Sequence, residues 1–366
     1  MRLRAAALTL PLVVAGVLAF PGATVAQDKC ASSPAVYDSG GRPNARGPLN
    51  DPLLGKQWSL KQIAAPGAWN QGGLGKGAVV AVVDSGIDLT HPDLKRNLVK
   101  GIDLAGGTGQ SDCPGPRDQD GHGTEVAGIV GAVGDNGIGI AGVAPQAKIM
   151  PVRALRGDET ESEIVQASQR VAEGIRYAAS HGADVINLSL STFYLVETPA
   201  SGLTEAIKFA WDEGAVLVGA AGNDQDHMCK YPASDPLVIC VGATNRQGAV
   251  AEYSNMPVKP PDEAAVLAPG GEYSGDRDFC DVKTLVLSTY LVPDARDCPL
   301  GGYSTDWGKS MATPHVAGVA AILSGLGLDN RQIVDCLLET SSNGGTYSRD
   351  TGHGLVNAEK AVRDCT

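Results

Sequence analysis

Ala78-Val79-Val80-Ala81-Val82-Val83 runs straight into Asp84-Ser85-Gly86-Ile87-Asp88. Six consecutive apolar residues, four of them the β-branched valine, suit a strand covered on both faces, as in a parallel sheet. A carboxylate at the end of such a strand is costly to bury without a charge or hydrogen-bond partner. Similar apolar runs recur at 147–152, 183–190, 215–221, 237–243 and 265–268. Helical patterns lie between them. Residues 161–180 carry Ile164, Ala167, Val171, Ile175 and Ala178 at three-to-four spacing. Residues 203–213 repeat the pattern, and 311–326 are apolar nearly all round, which predicts a buried helix. This alternation predicts an α/β fold: a three-layer, doubly wound, mostly parallel sheet with helices on both faces. Ligands in such folds sit at the carboxyl ends of strands.

The residues that follow the apolar runs bear chemistry. Asp84 ends the first run. His122 stands between two glycines in Asp120-Gly121-His122-Gly123-Thr124, ahead of an apolar helix start. Ser310, in Gly308-Lys309-Ser310-Met311-Ala312-Thr313-Pro314, opens the buried helix, where free N–H groups and the dipole favour negative charge. Pro314 is expected in that helix's first turn, where no N–H is needed. Asn223, in Ala221-Gly222-Asn223-Asp224, follows another strand and offers an amide donor. Each has a plainer alternative: a turn Asp, a structural His, an N-cap Ser and a turn Asn. A nucleophile, base, acid and oxyanion donor, all at element edges, make one constellation. Their order, Asp then His then Ser, is one of the known triad orders.

Three stretches carry a family resemblance. Asp84-Ser85-Gly86, His122-Gly123-Thr124 and Gly308–Gly318 resemble the three motifs of the subtilases, the subtilisin-like S8 serine peptidases, over about 57–361. The resemblance implies a serine endopeptidase with Asp84, His122 and Ser310 as triad and Asn223 as oxyanion donor. It implies that Ser189, Leu190 and Ser191 pair with a polypeptide substrate. It makes Tyr231 and Pro232 a wall of the pocket for the residue before the cut. Lys230, beside them, would favour an acidic side chain there; a solvated lysine is the alternative. No cofactor is needed for the chemistry. Asp93, Asn136, Ile138 and Ile140 resemble a structural calcium site, against a simple Gly-rich turn in 134–140.

Two positions depart from the pattern. Lys309 stands where threonine is common, and Glu125 where a second His is frequent. A lysine there either donates a hydrogen bond itself or slows the reaction. The alternative function is a weak or inactive subtilase fold serving as a scaffold in a secretion assembly. A serine esterase is disfavoured, since Gly308-Lys309-Ser310-Met311-Ala312 lacks the second glycine of a Gly-x-Ser-x-Gly elbow.

Arg2 and Arg4, an apolar run over 5–20 and small residues to Ala26 form a secretory-signal pattern with cleavage after Ala26. An N-terminal anchor is the alternative. The expected organisation is a signal over 1–26, an irregular extension over 27–56 and a peptidase domain over 57–366. The short extension resembles that of the mycosins, subtilases linked to type VII secretion, which usually add a C-terminal membrane helix; none is expected here. A secreted or extracytoplasmic monomer is expected, with a secretion-system partner implied only by the mycosin likeness. The net charge of −12 disfavours nucleic acid. Eight cysteines behind a signal suggest disulfides. Connectivity stays open; pairing of neighbours gives Cys30–Cys113, Cys229–Cys240, Cys280–Cys298 and Cys336–Cys365. No Cys-x-x-Cys pair exists to suggest zinc.

Overall fold

The computed structural model describes residues 49–106, 115–190, 201–260, 263–272, 280–292 and 298–366. Seven strands make the central sheet: β1 (Val79–Asp84), β2 (Ile102–Asp103), β3 (Lys148–Arg153), β4 (Val185–Leu188), β5 (Val216–Ala220), β6 (Val238–Thr244) and β7 (Ala265–Pro269). Their order is β2-β3-β1-β4-β5-β6-β7, and every neighbouring pair is parallel. The connection from β3 to β4 therefore crosses β1. The sheet reverses its order there, so the carboxyl ends of β1 and β4 open onto a crevice. A short antiparallel hairpin, β8 (Val286–Thr289) with β9 (Tyr303–Asp306), stands apart from the sheet.

The helices are α1 (Trp58–Gln62), α2 (Ala65–Asn70), α3 (His122–Gly131), α4 (Ile164–Ser180), α5 (Leu203–Asp212), α6 (Lys309–Gly325), α7 (Asn330–Thr340) and α8 (Ala358–Cys365). Adjacent strand residues point to opposite faces, and the core divides accordingly. Val80 and Val82 join one apolar cluster with α3, α6 and α8. Ala81 and Val83 join a second with α4 and α5. That is why β1 is apolar without alternation. Each fully buried Val or Leu contributes about 1.5–3 kcal/mol relative to an exposed one.

Helix α6 is the central pillar: Met311 through Leu323 are all buried. It begins two residues earlier than the apolar run suggests, at Lys309 with Gly308 as N-cap. Ser310 is therefore inside the helix and is not its cap. Pro314 is the sixth helical residue, not a first-turn one. Its missing N–H leaves the Ser310 carbonyl without its helical donor. Three disulfides, Cys229–Cys240, Cys280–Cys298 and Cys336–Cys365, are formed, the last joining α7 to α8. Cys30–Cys113 lies outside the described residues. So do the signal segment and most of the extension.

Helix α6 is closely approached at Gly318. A Cβ on Gly318 would lie 2.5 Å from Cβ of Val143. Gly318→Val is expected to destabilise the fold by about 1–3 kcal/mol through overpacking. A denaturant midpoint equal to wild type would show that α6 is not so tightly seated.

Candidate active site

Asp84 is the last residue of β1 and is 1 % exposed. Its Oδ1 accepts from the Ser85 N–H (2.7 Å) and meets Nδ1 of His122 at 2.7 Å. His122 is the first residue of α3, so a helix start has to come up against a strand end. The two flanking glycines explain how. Gly121 is the N-cap at φ 109°, and a Cβ there would strike the Tyr290 ring at 2.3 Å. A Cβ on Gly123 would lie 2.1 Å from the Gly86 carbonyl oxygen.

Two positioning residues escaped the sequence reading. Asp118 is buried and accepts through Oδ1 from Ser85 Oγ (2.9 Å) and the Asp120 and Gly121 N–H groups (both 3.0 Å). Its Oδ2 accepts from the Thr124 N–H (2.9 Å) and Oγ1 (2.6 Å). Burial pushes the Asp118 carboxyl up, and these donors pull it back. Ser85 Oγ in turn accepts from the Gly123 N–H (3.0 Å). Together they cap the first turn of α3, whose Gly121 cap has no side chain. An acidic residue three positions before a glycine cap was the available signal.

Ser310 lies on the opposite wall. Its Oγ donates to the Ser189 carbonyl (3.1 Å). Its own carbonyl, orphaned by Pro314, accepts from Ser189 Oγ (3.0 Å). Asn187 of β4 donates through Nδ2 to the same Ser189 Oγ (2.9 Å). The nucleophile-bearing turn is thus moored to the end of β4. Asn223 follows β5, and its Oδ1 accepts from the Lys309 N–H (3.1 Å). That bond fixes the amide and leaves Nδ2 as a donor. One cavity of about 410 Å³ is lined by Asp84, His122, Ser189, Leu190, Asn223 and Ser310, with Asp120, Glu159, Asp224 and Lys309.

Burial alone would depress the His122 imidazole. The charge and hydrogen bond of Asp84, with the charges of Glu125 and Asp120, outweigh it and push it up. Lys309 is 1 % exposed, and its ammonium folds onto the Tyr253 carbonyl (3.5 Å), over the Tyr253 ring. Burial lowers it to about 7, while Asp224 pulls it up and Lys230 lowers it further.

Other expected residues are placed differently. Tyr231 is buried, its hydroxyl 3.0 Å from Thr204 Oγ1, and it precedes Pro232 through a cis peptide. The Lys230 ammonium is paired with Asp226 at 2.6 Å. Ser191 lies outside the described residues.

The residues expected to hold calcium meet around Asp93. Asp93 Oδ1 accepts from Asn136 Nδ2 (2.6 Å), and Oδ2 from the Ile140 N–H (2.9 Å) and the Tyr303 hydroxyl (3.1 Å). Asn136 Oδ1 is taken by the Ile138 N–H (2.9 Å). Calcium takes carboxylate, amide and carbonyl oxygens; here the side-chain oxygens accept N–H and O–H donors, while among the described residues no donor reaches the Ile138 and Ile140 carbonyls. Among the described residues no cluster of His, Cys, Asp and Glu could hold a metal.

The chain matches the model of the subtilase family over residues 75–354. It is 37% identical over 318 residues to thermitase of Thermoactinomyces vulgaris, covering 86% of this chain and 99% of that protein. It is 34% identical to subtilisin BL of Lederbergia lenta, covering 84% and 98%. A solved protease structure from Pseudoalteromonas arctica superposes with a TM-score of 0.71 at 31% identity, over 87% of this chain and all of that one.

The carboxylate beside His122 has a direct readout. In an NMR titration the His122 imidazole is expected to deprotonate above its ordinary 6.5, and Asp84→Asn to bring that midpoint down. A midpoint at or below 6.5 in the unaltered protein would contradict this electrostatic reading.

Proposed function

Because the chain belongs to the subtilase family and is a serine-type endopeptidase, we propose that it cuts peptide bonds through an acyl-enzyme on Ser310, with His122 as base and Asp84 as its orienting partner. The observation that carries this is the 2.7 Å bond from Asp84 to His122 Nδ1, in one cavity with Ser310 and Asn223. With Nδ1 held by the carboxylate, Nε2 is the nitrogen that takes a proton. A turn about the Ser310 Cα–Cβ bond carries Oγ from the Ser189 carbonyl to His122. Oγ then attacks the substrate carbonyl carbon as its proton passes to Nε2. The carbonyl electrons move onto oxygen, which Asn223 Nδ2 and the Ser310 N–H receive. The imidazolium, stabilised by Asp84, returns its proton to the leaving amine as the C–N bond breaks. Water, deprotonated by His122, releases the acyl group by the reverse sequence.

The substrate is a polypeptide, with Ser189 and Leu190 as the edge along which it lies in extended form. The paired Lys230 gives no support to an acid-seeking pocket. Lys309, the one residue favouring an inert scaffold, has its ammonium folded away onto Tyr253, and its N–H serves to orient Asn223. Three disulfides suit an oxidising, extracytoplasmic setting, in keeping with the signal pattern at the N-terminus. Among the described residues no helix is long and apolar enough to cross a membrane.

A fluorophosphonate probe tests the assignment. The protein is expected to be labelled on Ser310, and Ser310→Ala to abolish labelling. Labelling that survives in Ser310→Ala would move the nucleophile elsewhere; an unlabelled wild type would revive the scaffold.

A further inference from the structure

Asp84, Asp120, Glu159 and Asp224 bring four carboxylates to the catalytic cavity. Three of them are already matched. Asp84 holds His122. Glu159 Oε1 accepts from the Arg170 guanidinium and the Arg156 N–H, both at 2.7 Å, and Oε2 from the Gly157 N–H (3.1 Å). Asp224 has the ammonium groups of Lys230 and Lys309 in its field. Asp120 differs. It is exposed, and its Oδ1 accepts from the His122 N–H (3.1 Å), which sets the side chain's direction. Among the described residues no donor reaches its Oδ2. The guanidinium groups of neighbouring segments are engaged elsewhere: Arg153 with Asp103 and Gln119 (both 3.1 Å), and Arg156 with Glu163.

The wall facing Asp120 keeps that oxygen open. Gly157 stands there at φ 87°, and a Cβ on it would lie 2.7 Å from Asp120 Oδ2 and 3.1 Å from Cγ. Leu155 lines the same part of the cavity. An apolar surface leading to an unmatched carboxylate suits a long basic side chain. The methylene stem lies along the apolar residue, and the charged head meets the carboxylate.

The position of that side chain follows from the run of the substrate, so the inference rests on the peptidase reading of this site. An extended chain turns successive side chains to opposite sides. The Lys230 N–H donates to the Ala221 carbonyl (2.8 Å), so the Tyr231–Pro232 segment, expected to receive the residue before the cut, lies on the Gly222–Asn223 side. The residue ahead of that one turns the other way, toward His122, Leu155 and Asp120. We propose that Asp120 selects a lysine or arginine as the second residue before the cut.

The test gives the full-length chain, expressed for secretion, a mixed peptide library and reads the cut sites by mass spectrometry, beside Ser310→Ala. Lysine and arginine are expected to be enriched at the second residue before the cut. Two peptides that differ only there, lysine against glutamine, are expected to differ about fivefold in kcat/KM, the scale of one part-exposed ion pair, and less at high salt. Asp120→Asn keeps an oxygen for the His122 N–H and is expected to remove the difference; Asp120→Lys is expected to favour glutamate there instead. The ratio compares two substrates on one enzyme, so any effect of these variants on His122 itself cancels. Ser310-dependent cutting without that enrichment, or a lysine preference undiminished in Asp120→Asn, would overturn the proposal and leave the catalytic assignment standing. Cutting that survives in Ser310→Ala, or no cutting by the unaltered chain, would overturn the catalytic reading and this inference with it.

Discussion

A carboxylate buried at the end of a parallel strand is the constraint around which this molecule is arranged. Asp84 is carried out of water by β1, whose two faces are both covered. An ion in that position needs a partner with opposite charge or several donors. His122 and the Ser85 N–H supply them. The partner can only arrive because Gly121 and Gly123 let the start of α3 touch the strand end, and because Asp118 and Ser85 hold the uncapped turn. Packing, capping and electrostatics thus serve a single contact.

The opposite wall is built by a different device. Proline in a helix interior usually weakens it by removing a backbone bond. In α6 the orphaned carbonyl belongs to Ser310 and is used to tie the helix to β4 through Ser189 and Asn187. Lys309 then fixes Asn223 through its backbone. The same turn therefore presents a hydroxyl and an N–H to one cavity and orients the amide of Asn223 toward it. No loop longer than a few residues intervenes between these groups and the sheet or helix that holds them.

The fold was legible because burial on both faces removes polar residues from a strand; β1 and β3 to β7 all stand out as apolar runs. The family motifs picked out Asp84, His122 and Ser310, and its place after a buried strand picked out Asn223; the structure gathers all four around one cavity. Three things were not legible. Asp118 and Ser85 act through side-chain bonds across 33 residues of sequence, which no local pattern records. Pro314 read as a first-turn residue because the pattern of apolar residues starts at Met311, after the polar Lys309 and Ser310 that already belong to the helix. The loop 134–140 read as either a calcium site or a Gly-rich turn, because glycines and Asn serve equally to expose carbonyls or N–H groups, and its partners Asp51 and Tyr303 lie far away in sequence.

Asp84 holds His122 and matches its charge. Steady-state hydrolysis of a peptide substrate by Asp84→Asn, with folding checked by its unfolding midpoint, tests this pairing most directly. A fall in kcat of about 10⁴ with KM little changed is expected, since an amide in that place favours the wrong tautomer. A folded Asp84→Asn enzyme with kcat near that of wild type would contradict it.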